Sequence, residues 1–209
     1  MDKPVIIIGA GGHARVLYDC LCLLGVEVLG ALDKCYPKGD RTSRIPILGN
    51  DSTIHAYATD AVELVNGIGS VGDTSLRAAI YNKFKKLGYS FRTVVHPAAT
   101  MARDCDLSEG VQVMAGVVVN TGVKISADSI INTGAIVDHD CFIGRHVHIA
   151  PGCTISGGVN VGDGAHLGVG ATVIQGVDIG RNVLVGAGAV VLKDVLADMK
   201  VAGVPAKVI

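Results

Sequence analysis

The second half of the chain repeats with a period of six residues, and no other feature restricts its fold as strongly. Every sixth residue from position 99 to position 195 is small or β-branched, and the residue two places later, from position 101 to position 191, is aliphatic. Residues i and i+2 of a β-strand point to the same side, so each repeat directs one slim and one larger apolar group inward. A Gly, Asn, Asp or Ser often follows the aliphatic residue, which suits a tight corner. The repeat therefore predicts about 100 residues of short strands that stack as a solenoid without helices.

The composition agrees with a narrow solenoid interior and restricts the partners of the protein. Its 209 residues include three Phe, five Tyr and no Trp. Large rings have little room in such an interior, and Cys141 and Cys153, at slim positions of the repeat, are predicted to be core residues. The net charge is −1 and no basic run is present. This balance argues against a nucleic-acid partner, because phosphate neutralisation requires clustered Lys and Arg.

The apolar segments are too short for a membrane protein. Uninterrupted apolar stretches are only a few residues long, whereas a bilayer requires roughly 20. The first of them, at residues 5–8, is not followed by a small-residue cleavage signal. We therefore expect no membrane contact, no secretory peptide and a cytoplasmic location.

The first ninety residues have a different pattern, in which strands alternate with helices. Residues 5–8 and 26–32 form apolar runs typical of strands, and a helical stretch to about Leu24 lies between them. A second helix begins near Asp73, and its apolar positions predict one buried face, formed by Leu76, Ile80, Phe84 and Leu87. The alternation predicts a small parallel α/β domain with a Rossmann-like βαβ unit at residues 1–95, followed by a β-helix domain at residues 96–209.

A glycine-rich turn follows the first strand. The spacing Gly9-x-Gly11-x-x-Ala14, with Asp33 about twenty residues further on, satisfies the dinucleotide-binding fingerprint. The physical basis of this fingerprint is not specific to dinucleotides, because glycines allow any ligand to approach the backbone closely and a helix N-terminus favours any diphosphate. A nucleotide-sugar diphosphate, NAD and a purely structural turn all remain open on this spacing. His13 adds a polar group that a structural turn does not require.

Together the two halves resemble one branch of the hexapeptide-repeat superfamily. This branch contains bacterial acetyltransferases that act on nucleotide-linked amino sugars of the bacillosamine and perosamine types, and the related sialic acid O-acetyltransferases. The resemblance covers essentially the whole chain. It implies a left-handed parallel β-helix with three sides and 18 residues per coil, assembled as a homotrimer with the active site between neighbouring subunits. The matching segments lie at residues 9–13, 32–33, 46–49, 67–69, 96–97, 132–141, 148–152, 186–190 and 203–207.

The resemblance implies that His139 is the general base and that Asp140 raises the basicity of its imidazole. The chemistry agrees, because an amine that attacks a thioester must lose a proton, and a histidine titrates near neutral pH. A neighbouring carboxylate favours the charged imidazole and holds one tautomer. His139 lies outside both inward series of the repeat, so core packing does not require it.

The resemblance also implies the binding residues. It places acetyl-CoA contacts at His148, Val169 and Ala187. For the sugar nucleotide it implies Gly11, Gly12, His13, Asp33, Lys34 and Gly69. Lys34 replaces a second acidic residue that some members carry, which leaves the nucleotide base open. Asn132 either orients the acceptor or serves only as a corner residue.

The predicted function is acetyl-CoA-dependent N-acetylation of a nucleotide-linked 4-amino sugar by direct transfer, without a metal. O-acetylation of a sialic acid is the close alternative. A trimeric zinc enzyme of the carbonic anhydrase type is a further alternative, because His148 and His166 are 18 residues apart and His146 is nearby. A non-enzymatic scaffold and an NAD-dependent reductase each leave half of the chain unexplained.

Overall fold

The fold was analysed in a computed structural model, which describes residues 3–38 and 44–209. The α/β region is a four-stranded parallel sheet with the order β3-β2-β1-β4. Its strands are β1 (Val5–Ile8), β2 (Val28–Leu32), β3 (Ile47–Gly49) and β4 (Glu63–Asn66). The helices are α1 (Gly12–Leu23), α2 (Ser75–Lys86) and a short 3-10 helix (Asp51–Ala56).

Strand β1 is buried on both faces, which explains its uninterrupted run of branched apolar residues. Val5 and Ile7 belong to the core cluster that includes residues of α1, whereas Ile6 and Ile8 pack in the cluster that includes Phe84 of α2. The parallel β1 and β4 both end beside the glycine-rich turn. The sheet therefore brings the turn and the segment after β4 to one edge.

The predicted buried face of α2 is only partly right. Phe84 is buried and Ile80 packs against the same core cluster, but Leu76 is 63% exposed and Leu87 is 41% exposed. Arg77 and Tyr81 are buried instead, and Arg77 points toward a carboxylate of the solenoid. An apolar periodicity does not report such a polar contact, so it misplaces the edges of the buried face.

From Val94 onward the chain forms strands of two or three residues on three faces, which we name I, II and III. Face I comprises Val94–Val95, Gln112–Val113, Ile130–Ile131, His148–Ile149, His166–Leu167, Leu184–Val185, Lys200–Ala202 and Lys207–Val208. Face II comprises Thr100–Met101, Val118–Val119, Ile136–Val137, Thr154–Ile155, Thr172–Val173 and Val190–Val191. Face III comprises Asp106–Leu107, Lys124–Ile125, Phe142–Ile143, Asn160–Val161 and Asp178–Ile179.

The register of these strands gives the size of one coil. Ile131 pairs with Ile149, and Ile149 pairs with Leu167, so equivalent residues are 18 positions apart. The pairing is parallel throughout, except for the final strand, which pairs antiparallel with Lys200–Ala202. The predicted fold class, an α/β region followed by a left-handed parallel β-helix, is confirmed.

The interior of the solenoid is the predicted apolar column. Both inward series are buried along most of its length, and Cys141 and Cys153 lie within the column. Side chains on the outside of a strand are normally exposed, yet four outward residues of face I are buried because the α/β region covers them: Gln112, Ile130, His148 and His166. Faces II and III are not covered in this way. In the described ranges, none of the helices is both long enough and apolar enough to cross a membrane.

Candidate active site

His139 and Asp140 lie at the corner between faces II and III, after Ile136–Val137. The backbone N–H of His139 donates to Oδ1 of Asp138 at 2.8 Å, and Asn120 Nδ2 donates to the same oxygen at 2.7 Å. The imidazole is 47% exposed, and its Nδ1 lies 2.9 Å from Asp140 Oδ2. Because a carboxylate only accepts, Nδ1 carries the proton and Nε2 carries the lone pair. Within residues 3–38 and 44–209, no group hydrogen-bonds Nε2, so this nitrogen is available to take a proton.

The environment of His139 strengthens it as a base. Its hydrogen bond to Asp140 is the largest influence that raises the pKa of the imidazole, and the charge of Asp138 raises it further. Both carboxylates stabilise the protonated ring. The corner therefore combines an accessible nitrogen with an electrostatic environment suited to proton transfer.

Asp140 has a left-handed backbone conformation, with φ of +58°, as do the non-glycine corner residues Asp128, His146, Asn182 and Asp198. At the same position in other coils the chain has Gly122, Gly158 and Gly176, with φ of +72°, +66° and +70°. Glycine adopts this region without steric cost, whereas Asp does so at some cost. The carboxylate beside His139 is thus held at a position where the corner geometry favours glycine.

The glycine-rich turn has an open surface. Gly11 and Gly12 are exposed, and a Cβ atom at either position would meet no atom within 4 Å. Helix α1 has no side-chain cap and no acidic residue in its first turn, so its first N–H groups can bind an anion. Asp33 stabilises this turn, because its carboxylate accepts hydrogen bonds from the backbone N–H groups of Ala10 and Cys35, each at 2.8 Å. Lys34 is exposed and lines a shallow cavity of about 400 Å³.

His13 is held as a neutral ring. Gln112 donates its Nε2–H to the Asn66 carbonyl at 2.8 Å, so its Oε1 accepts from His13 Nε2 at 2.7 Å. Burial is the main cause that lowers the pKa of His13 to about 4, and the nearby charge of Arg77 adds to it. Gly69 packs beside this side chain, since a Cβ there would lie 3.2 Å from His13 Cβ. His13 therefore offers hydrogen bonding, but no positive charge, to a ligand at the turn.

A buried ion pair behind the turn joins the α/β region to the solenoid. Arg77 Nη2 lies 2.9 Å from Asp128 Oδ1, and neither side chain is exposed. Arg77 Nη1 also donates to the carbonyls of Asn66 and Ile68, at 3.0 and 2.7 Å, and His146 Nδ1 lies 2.9 Å from Asp128 Oδ2. This network was not predicted from the sequence, because Arg77 is one of four basic residues of α2 and nothing local distinguishes it from the lysines.

His148 lies under the α/β region and is 6% exposed. Asn132 Oδ1 accepts from the Thr133 N–H, so its Nδ2 donates to His148 Nε2 at 3.0 Å. The other ring nitrogen, His148 Nδ1, then carries the proton and donates it to Ser70 Oγ at 2.7 Å. Burial is the largest of the effects that lower the pKa of His148 to about 3. His166, one coil further on, meets the His148 ring edge to face, with ring centroids 4.9 Å apart. Across the described parts of the chain, no group of three or more His, Cys, Asp or Glu could hold a metal ion.

The predicted site residues thus form three groups in one chain. His139 and Asp140 lie at the corner between faces II and III. The turn residues, with Asp33, Lys34 and Gly69, lie on the α/β region beside face I. Val169 and Ala187 are exposed on successive coils at the corner between faces I and II, where Asn132 also lies and hydrogen-bonds the buried His148 of face I. The width of face II separates this corner from His139.

Comparison with known proteins identifies the family. Residues 4–84 match the model of the PglD N-terminal domain, and no sequence among the curated proteins matches the chain. PerB from Caulobacter crescentus, solved in complex with CoA and GDP-perosamine, is 39% identical, with a TM-score of 0.91 over 100% of this chain and 98% of that chain. A variant of perosamine N-acetyltransferase from Caulobacter crescentus is 38% identical, with a TM-score of 0.92 and the same coverage. The acetyltransferase domain of PglB from Neisseria gonorrhoeae, in complex with acetyl coenzyme A, is 31% identical, with a TM-score of 0.92 over the full length of both chains. The chain belongs to the hexapeptide-repeat nucleotide-sugar N-acetyltransferases.

Proposed function

We propose that this acetyltransferase moves the acetyl group of acetyl-CoA to the amino group of a nucleotide-linked 4-amino sugar, with His139 as the general base. The observation that carries the proposal is the half-exposed imidazole of His139, whose Nδ1 donates to Asp140 while Nε2 has no hydrogen-bond partner among the described residues. The similar structures that contain CoA, GDP-perosamine or acetyl coenzyme A support the choice of substrates.

The chemistry follows from the state of this ring. The amine nitrogen attacks the thioester carbonyl carbon and forms the C–N bond, and Nε2 accepts the proton that the amine loses. Asp140 stabilises the resulting imidazolium. Collapse of the tetrahedral intermediate breaks the C–S bond, and the imidazolium returns the proton to the departing thiolate of CoA. His139 ends neutral, and the products are an amide and CoA.

We further propose that the nucleotide diphosphate binds at the glycine-rich turn. The N–H groups at the start of α1 carry the partial positive charge that favours an anion. Gly11 and Gly12 leave open space for its approach. Since His13 is neutral, we assign it a hydrogen bond to the substrate and not an ion pair. We assign the positive charge to Lys34, which follows Asp33 in the chain.

A homotrimer is proposed because face II is suited to packing against another copy. Its outward residues carry no charge, whereas those of face III include Asp106, Lys124 and Asp178. The corner with Val169 and the corner with His139 border opposite edges of face II. Packing across face II would bring the acetyl-CoA residues of one subunit toward His139 of its neighbour. The outward residues of face II are Thr100, Val118, Ile136, Thr154, Thr172 and Val190.

The test is a CoA-release assay with UDP-, GDP- and dTDP-linked 4-amino sugars and with sialic acid as acceptors. His139→Ala should lower kcat by about 10²- to 10⁴-fold, the usual contribution of a general base. His139→Gln serves as a control for shape, and calorimetry should show that both variants retain affinity for acetyl-CoA. Native turnover by His139→Ala would refute the assignment of the base. Activity on sialic acid alone would refute the proposed acceptor.

A further inference from the structure

The residue one coil after His139 is a glycine that the backbone does not require. The same corner position in successive coils is occupied by Arg103, Thr121, His139, Gly157, Gln175 and Lys193. Five of these six residues have side chains, so the corner accepts a Cβ atom at this position. Gly157 is also absent from the residues with positive φ. Its lack of a side chain therefore needs another explanation.

The imidazole of His139 occupies the space that a side chain at position 157 would need. A Cβ on Gly157 would lie 2.5 Å from both Cε1 and Nε2 of His139 and 3.0 Å from Nδ1. Carbon atoms do not approach a ring that closely without displacement. Gly157 is buried, although the equivalent residues of the two adjacent coils, His139 and Gln175, are exposed. The ring thus rests against the backbone of the following coil.

We propose that Gly157 is a positioning residue for the reaction, because its missing side chain creates the seat that holds His139 against Asp140. The inference rests on the proposed role of His139 as the base. The reaction then also requires that residue 157 have no side chain, although a glycine neither ionises nor donates a side-chain hydrogen bond.

The backbone around Gly157 has little freedom to relieve a clash. The Gly158 N–H donates to the His139 carbonyl at 2.9 Å, and the Gly176 N–H donates to the Gly157 carbonyl at 3.0 Å. The imidazole, in contrast, is the exposed end of a rotatable side chain. In Gly157→Ala the ring should therefore move while the coil remains in place. Its contact with Asp140 is then lost, and the pKa of His139 falls toward the ordinary value.

The experiment compares Gly157→Ala with Gly158→Ala as its matched control. Position 158 has φ of +66°, and a Cβ there would meet nothing within 4 Å. We expect Gly157→Ala to lower kcat at least tenfold and to lower the pKa of His139, measured by NMR of labelled histidine in the protein without substrates. Gly158→Ala should lower the melting temperature through backbone strain and leave both the pKa and kcat unchanged.

A double-mutant cycle guards against a general folding defect. In a His139→Ala background, where no imidazole occupies the space beside position 157, Gly157→Ala should leave the melting temperature unchanged. An unchanged His139 pKa in Gly157→Ala, or equal loss of stability with and without the ring, would overturn the inference. Native turnover by His139→Ala would refute the proposed role of His139 as the base. That outcome is distinct from failure of the inference on Gly157, because the NMR measurement of the His139 pKa requires no catalysis.

Discussion

Asp140 presents its carboxylate to His139 from a left-handed backbone conformation, so a glycine at this position should raise stability and lower activity together. The substitution recreates the residue that the corner has at Gly122 and Gly158 in the adjacent coils. It removes the group that most strongly raises the pKa of His139. Few substitutions separate backbone strain from catalytic function so directly.

The expected gain in stability follows from two opposing effects. A non-glycine residue in the left-handed region costs about 1–2 kcal/mol. Glycine adds flexibility to the unfolded chain, which offsets about 0.5–1 kcal/mol of that relief. The exposed contact with His139 contributes little to stability. The net gain for Asp140→Gly is therefore about 0–1.5 kcal/mol, or a rise of up to about 6 °C in the melting temperature for a chain of this length.

The effect on activity has a defined sign. The pKa of His139 is raised in the native protein, so the ring is protonated and inactive as a base below that pKa. Loss of the Asp140 carboxylate lowers the pKa, which shifts the acidic limb of the kcat/KM profile to lower pH. The plateau at higher pH should fall, because the ring is a weaker base and has lost its orienting partner.

Thermal unfolding at one fixed protein concentration and pH profiles of kcat/KM test both effects. Asp140→Asn is the matched control, because Asn tolerates the left-handed region as Asp does but carries no charge. It should keep the native melting temperature and share the shifted acidic limb. A lower melting temperature for Asp140→Gly, or an unmoved limb in both variants, would refute the reasoning.

Three further predictions concern the junction between the α/β region and the solenoid and the packing inside the α/β region. Arg77→Met should destabilise the protein by about 3–5 kcal/mol in urea unfolding, because it leaves the buried Asp128 without its cation; a loss below 1 kcal/mol would contradict this. His148 stays neutral in the native state to about pH 3, whereas an unfolded histidine takes a proton near pH 6.5. The unfolded state therefore binds more protons, and the free energy of unfolding falls as the pH drops below 6.5. His148→Gln should reduce the dependence of this free energy on pH by up to about 1.4 kcal/mol per pH unit. An identical pH dependence in the variant would contradict the prediction. Gly67→Ala should cost about 1–3 kcal/mol by overpacking, since its Cβ would lie 2.7 Å from Ile7 and 2.8 Å from Ala14; a native urea midpoint would contradict it.

The fold of the solenoid could be predicted from the sequence because its information is local. A period of six residues determines which side chains point inward, and the corners need only small or turn-forming residues between them. The positions of His139, outside the inward series, and of Cys141, inside it, follow from this period alone. The boundary proposed between residues 95 and 96 stays a prediction, as do the individual binding residues.

Tertiary structure decided what surrounds the candidate site. Arg77 and Asp128 are 51 residues apart, and no periodicity links them, so the sequence did not predict the burial of Arg77 in α2. His148 lies at an outward position of its strand, but a separate region of the chain covers it. The contact of His139 with Gly157 depends on both the coil length and the side-chain rotamer. A periodic sequence pattern shows which side chains are buried in the apolar core, because this burial is additive and depends on local chain geometry. The partners of polar side chains and the space around a side chain depend on which distant segments come together in the fold.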